Sequence, residues 1–105
     1  MRILVVFRKG PDEALRVRDC LDLALAAIAF DHTVRVLFTS AGAALLRGEN
    51  RELTSNLRAL AFHGVEAIGV DAALAVVGDS VFAAQPLDES AIREWHAGAD
   101  HVLWC

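Results

Sequence analysis

The chain opens on an uninterrupted apolar run, Ile3-Leu4-Val5-Val6-Phe7. Side chains on both faces of such a strand are apolar, which suits the middle of a parallel sheet covered on both sides, not a sheet with one wet face. A turn at Gly10-Pro11 follows, and Asp12 is placed to cap a helix in which Leu15, Cys20, Leu21, Leu23, Ala24, Ala27 and Ile28 recur at helical spacing to about Phe30. The β-branched run Val34-Arg35-Val36-Leu37-Phe38 predicts a second strand, and Thr39-Ser40 can cap a short helical turn over 41–46. RGENRELT, residues 47–54, has no hydrophobic period and reads as a solvated loop or irregular helix entry, the most mobile stretch of the chain. Leu57, Leu60, Ala61 and Phe62 predict a helix over 55–62 that Gly64 stops, and 65–70 is the third strand. Asp71 then caps a short helix through Ala75, broken near Gly78. Val81-Phe82-Ala83 reads as a fourth strand that Pro86 ends. Asp88 caps a last helix with Ala91, Ile92 and Trp95 on one face, and His101-Val102-Leu103-Trp104 closes the chain as a strand.

Strand and helix thus alternate about five times. Under the right-handed crossover rule this predicts an α/β fold, a single-domain three-layer sandwich with a mostly parallel sheet of about five strands, flavodoxin-like in arrangement. The length of 105 residues leaves room for one domain, spanning 1–105. With 55% apolar residues, 23% charged residues and only two prolines, burial offsets chain entropy and disorder is excluded. A net charge of −4, with ten basic residues scattered from Arg2 to Arg93, provides no positive stripe for a phosphate backbone, so direct nucleic-acid binding is not expected. Charged residues interrupt every candidate for a membrane span of about 20 residues. The first apolar run is too short for a signal-peptide core, so the expected location is cytoplasmic. Two cysteines, Cys20 and Cys105, cannot build a disulfide framework, and neither belongs to a C-x-x-C pair.

In a parallel sheet the ligand crevice lies beyond the carboxyl ends of the strands. The loop after the first strand, Arg8-Lys9-Gly10-Pro11-Asp12, contains neither G-x-G-x-x-G nor a Walker lysine motif, which excludes dinucleotide and P-loop readings, and no cofactor is expected. Its two cations stand where a phosphate-accepting receiver domain needs carboxylates for magnesium. Arg8 and Lys9 are suited instead to an anionic ligand or the acidic surface of a partner. With Ser40 and Asp71, at the ends of the second and third strands, they form the candidate crevice or docking set. His32, His63, His96 and His101 lie in separate segments without metal-ligand spacing, and no G-x-S-x-G elbow marks a serine nucleophile. A thiolate can carry sulfane sulfur as a persulfide, which makes Cys20 and Cys105 the candidate carrier thiols. Cys20 lies mid-helix, where core packing is the ordinary role of a thiol; Arg16 one turn earlier favours its thiolate, and Asp19 and Asp22 oppose it. Cys105, the last residue, is expected to be accessible, with the adjacent carboxylate disfavouring its thiolate.

Several stretches together suggest a family. Arg18-Asp19-Cys20-Leu21-Asp22-Leu23-Ala24-Leu25-Ala26, Ala29-Phe30-Asp31 and Val36-Leu37-Phe38 resemble the first helix and second strand of the DsrE/DsrF-like sulfur-relay proteins, and most closely the TusC/DsrF branch. Leu57-Arg58-Ala59-Leu60, Phe62-His63-Gly64-Val65-Glu66-Ala67 and Val70-Asp71-Ala72-Ala73-Leu74 resemble its third helix, third strand and following turn. Pro86-Leu87-Asp88 and Ala99-Asp100-His101-Val102-Leu103 resemble its last helix entry and closing strand. The resemblance implies a small α/β subunit joined to sister DsrE-like and DsrH-like subunits in a hetero-oligomer, serving persulfide transfer for thiolation of a tRNA wobble uridine or for sulfur metabolism. In the sister branch that carries the sulfur, the reactive cysteine follows the third strand; here that neighbourhood reads Ile68-Gly69-Val70-Asp71-Ala72. The implied role is therefore structural or docking. The region between Leu74 and Pro86 is short for the family, and RGENREL is unusually charged. The alternative is a stand-alone homo-oligomer of the same fold, acting as a thiol sulfur carrier or small-ligand-binding module.

Overall fold

The computed structural model describes residues 1–48, 50–74 and 84–105. Five parallel strands, β1 (Arg2–Phe7), β2 (Thr33–Phe38), β3 (Ala67–Asp71), β4 (Gln85–Leu87) and β5 (His101–Trp104), form one sheet in the order β4-β3-β2-β1-β5. The fully apolar first run is thus interior, between β2 and β5, and Leu4 through Phe7 are at most 1% exposed. Helices α1 (Ala14–Ala29) and α2 (Arg51–Phe62) cover one face, where Val5, Phe7, Val36 and Phe38 pack with Val17, Leu21, Leu57 and Leu60. The rings of Phe7 and Phe38 stack at the centre of this layer, 5.2 Å between centroids. Helix α3 (Glu89–Ala97) covers the other face, over Leu4, Val6, Leu37 and Leu87. The three-layer parallel sandwich is the one the alternation predicts.

Element boundaries depart from the sequence expectations where local chemistry intervenes. Asp12 lies inside a 3₁₀ turn, Pro11–Glu13, and makes no side-chain cap; α1 starts after Glu13, also without one. Leu15 and Leu23 point outward at 79% and 55% exposure, since the buried stripe is Val17, Cys20, Leu21 and Ala24 and a residue two positions from Leu21 turns to the other side of the helix. The turn after β2 is a longer 3₁₀ segment, Ser40–Arg47, in which Thr39 makes no side-chain cap and Leu45 and Leu46 are buried.

The charged stretch, read as a solvated loop or an irregular helix entry, contains the start of α2. Asn50 caps it, its Oδ1 accepting from the Leu53 N–H at 3.1 Å, and Leu53 is buried. Helix α2 ends as expected with Gly64 in the left-handed region (φ 98°), but Phe62 is 84% exposed. The fourth strand is Gln85–Leu87, with Pro86 inside it opposite Val70. Proline is tolerated there because β4 is the sheet edge, where one N–H has no ladder partner to lose. The expected strand over 81–83 and the break near Gly78 fall outside the described residues. Asp88 caps α3 as expected, accepting from the Ala91 N–H at 2.8 Å. Among the described residues no helix is long and apolar enough to cross a membrane.

Candidate functional site at the carboxyl edge

Three strand ends are knotted together by backbone hydrogen bonds. The Cys105 N–H donates to the Val6 carbonyl at 2.8 Å, and the Cys105 carbonyl accepts from the N–H groups of Arg8 and Lys9 at 2.9 and 3.0 Å. The β1 exit is therefore pinned to the β5 exit. On its other side, Thr39 N–H donates to the Phe7 carbonyl at 3.0 Å, and Gly42 N–H contacts the carbonyls of Arg8 and Thr39 at 3.1 and 3.0 Å. Gly42 is required by the closeness of this contact, because a Cβ built there would lie 1.9 Å from the Phe7 carbonyl oxygen.

On the α3 face this edge encloses an open groove of about 670 Å³. Its floor is Val6, Leu37 and Ile92, and Trp104 forms a wall. Trp104 is 48% exposed and lies between two partners: the Arg8 guanidinium sits 4.7 Å from its ring centroid, and the His96 ring stacks on it at 5.3 Å with 29° between planes. A cation over the face of an indole is held by the ring quadrupole, so the stack orients Arg8 as well as Trp104. The rim carries Thr39, Asp71, Asp88, Glu89 and Arg93, a mixture of both charge signs. Such a rim over an apolar floor can seat a loop or side chain of another protein, or orient a small polar molecule.

The four sequence candidates all lie at this edge, but the structure does not bring them into one cluster. Asp71 lines the groove, and its Oδ1 also accepts from the Ala73 N–H at 3.0 Å, shaping the turn after β3. Arg8 borders the groove through Trp104. Lys9 instead approaches Glu13 one helical turn away, Nζ to Oε2 at 3.6 Å, and does not line the groove. Ser40, exposed and held in the left-handed region (φ 52°), is also outside it. Sequence reasoning missed Trp104 and His96. Alternation along β5 was the available signal, since Val102 and Trp104 share the α3 face while Leu103 and Cys105 face α1.

The two thiols do not reach the groove. Cys20 is buried in the α1 stripe, as expected of a core thiol. Cys105 is 1% exposed, which overturns its expected accessibility: the three backbone hydrogen bonds hold the residue against β1, and its parity with Leu103 turns the side chain under α1. There it forms a disulfide with Cys20, 85 residues away in sequence, with 6.1 Å between their Cα atoms. Nothing local in the sequence pairs two cysteines so distant; only the α1-over-β5 packing does.

Comparison with known proteins agrees with this architecture. A family model described as DsrE/DsrF-like matches residues 1–104. A protein named TusC homolog from Pseudomonas aeruginosa is 32% identical over 113 aligned positions, covering 96% of this chain and 95% of that protein. In structure the chain is similar to the ychN protein from E. coli, with a TM-score of 0.85 and 18% identity, covering 100% of this chain and 99% of that one.

Proposed function

The chain belongs to the DsrE/DsrF-like family, and on that premise we propose that it is a non-catalytic docking subunit of a sulfur-relay complex of the TusBCD/DsrEFH type. The observation that carries the reading is the end of β3: the groove position taken by Asp71 offers a carboxylate, which cannot hold a persulfide. Both cysteines, joined as a disulfide, are buried on the opposite side of the sheet. The sulfur is then carried by a sister subunit, and this chain contributes surface. Leu15 and Leu23 on α1, Phe30 at its C-terminal cap and Phe62 at the end of α2 are exposed apolar side chains of the kind an assembly covers. The complex would serve persulfide transfer toward a tRNA wobble uridine or within sulfur metabolism in the cytoplasm. An acidic chain of net charge −4 leaves any RNA contact to its partners.

Co-expression with tagged DsrE-like and DsrH-like sister subunits tests the proposal. The chain should co-purify in a stable stoichiometric complex, while mass spectrometry after incubation with a cysteine desulfurase and cysteine places the added sulfur on the sister. A chain that elutes alone at micromolar concentration, or that itself gains the sulfur, overturns it. The Arg8–Trp104–His96 stack beside an apolar-floored groove favours one further reading, a small-ligand-binding module. A ligand at 100 times its dissociation constant would stabilise the fold by about 2.7 kcal/mol in a thermal-shift panel of anions and nucleotides.

A further inference from the structure

Cys20 and Cys105 have no part in the docking role, yet the fold brings them together from opposite ends of the sequence. The buried stripe of α1 presents Cys20 inward, and the parity of β5 presents Cys105 to the same layer. Their Cα separation of 6.1 Å lies within the range that a disulfide spans with no backbone movement. The position of Cys105 matters as much as the pairing. Its backbone N–H and carbonyl make the three hydrogen bonds that pin the β1 exit, including those from Arg8 and Lys9. The preceding residue is Trp104, the groove wall that Arg8 and His96 flank. A covalent link at Cys105 therefore ties α1 to the residue that pins the β1 exit and adjoins the groove wall.

We propose that Cys20 and Cys105 form a reversible dithiol–disulfide site whose closed form locks α1 to the carboxyl edge of the sheet and fixes the Arg8–Trp104–His96 stack. The inference is independent of the docking role. The oxidant is a low-molecular-weight disulfide. Cys20, 7% exposed against 1% for Cys105, is the entry point. Its thiolate attacks one sulfur of the small disulfide, forming a mixed disulfide and releasing one small thiolate. The Cys105 thiolate then attacks Cys20 Sγ and displaces the second, so two thiols of the chain are oxidised as one small disulfide is reduced to two thiols. A dithiol reductant reverses both steps.

The experiment uses the full chain equilibrated in mixtures of reduced and oxidised glutathione, quenched with acid, then unfolded and alkylated so that mass reports free thiols per molecule. The expected result is a single transition from two free thiols to none, reversed by dithiothreitol under native conditions. Cys20→Ser and Cys105→Ser should each lack that transition. In a Trp95→Phe chain, Trp104 emission should differ between the two states and should not follow the glutathione ratio once either cysteine is replaced. Three results overturn the proposal: native chains that keep both thiols in oxidised glutathione while urea-unfolded chains lose them, a disulfide that dithiothreitol opens only after unfolding, or thiol conversion that leaves Trp104 emission unchanged. Thiol counting on the unsubstituted chain decides the redox question even if a variant fails to fold.

Discussion

Replacing Gly42 with alanine should be among the most damaging one-carbon changes available to this fold. The added Cβ would lie 1.9 Å from the Phe7 carbonyl oxygen, 2.5 Å from the Phe7 carbonyl carbon and 3.2 Å from the Arg8 nitrogen. All three are backbone atoms, and Phe7 has no exposed surface and lies on β1, an interior strand held between β2 and β5, so β1 cannot retreat. The 3₁₀ segment Ser40–Arg47 must withdraw by more than 1 Å, since Cβ contacts under 3.0 Å are essentially never found. Overpacking of this kind costs about 1–3 kcal/mol. Withdrawal also breaks the Gly42 N–H contact to the Arg8 carbonyl, worth about 0.5–1.5 kcal/mol. The sum, about 1.5–4.5 kcal/mol, is a large part of the roughly 5–15 kcal/mol that holds a native domain together. Urea denaturation followed by circular dichroism, with wild-type and variant slopes compared, measures it. Gly64→Ala is the control: its φ of 98° imposes backbone strain of about 1–2 kcal/mol, but no atom lies within 4 Å of the added carbon. A Gly42→Ala loss under about 0.5 kcal/mol, or one no larger than the control, would refute the argument from close contact.

Two further outcomes follow from single observations. Asp88→Ala removes the side-chain acceptor for the Ala91 N–H at the start of α3 and should cost about 0.5–2 kcal/mol by the same urea assay, with Asp88→Asn recovering most of the loss. Phe62→Lys changes a side chain that is 84% exposed, so stability should stay within about 0.5 kcal/mol; if α2 contributes to docking, co-purification with the sister subunits should weaken, and unchanged recovery would remove Phe62 from the interface.

The sheet was legible in the sequence because β1 and β2 are apolar runs bounded by turn residues, and two-sided burial leaves few other readings. The capping aspartate of α3 was legible for the same local reason. Asp12 misled because Pro11 starts a 3₁₀ turn before the helix, so the aspartate falls inside the turn. The start of α2 was obscured by charge: Arg51 and Glu52 are exposed beside the single buried Leu53, Thr54 turns its hydroxyl back to the Asn50 carbonyl, and only the Asn50 cap marks the helix entry. Of the site, Asp71 and Arg8 could be placed from strand ends alone. Alternation along β5 marked the face of Trp104, but its contact with His96 and the pairing of the two cysteines required the three-dimensional juxtaposition of β5 with α3 and α1, which no local spacing encodes.

That juxtaposition also supports the proposal that a sister subunit, not one of this chain's two cysteines, carries the sulfur. Successive residues of β5 alternate, so Trp104 borders the groove while Cys105 turns under α1, and the central layer of the sheet separates the two. A sulfur held on Cys20 or Cys105 would sit in the same buried layer as Val5 and Phe7, on the opposite face of the sheet from the groove. At the end of β3 the same alternation sends Asp71 toward the groove and Val70 toward α1. Asp71→Cys in a chain that also carries Cys20→Ser and Cys105→Ser should therefore create a thiol open to solvent. Exchange of the side chain also removes the acceptor for the Ala73 N–H, a loss on the order of 1 kcal/mol that the fold should absorb. Under native, reducing conditions the new thiol should react with a maleimide at least about tenfold faster than Cys20 or Cys105 in the wild-type chain, because reactivity follows exposure of the thiolate. Equal rates would mean that the end of β3 is as closed as the α1 layer, and the geometric reason for assigning the carrier role elsewhere would fail.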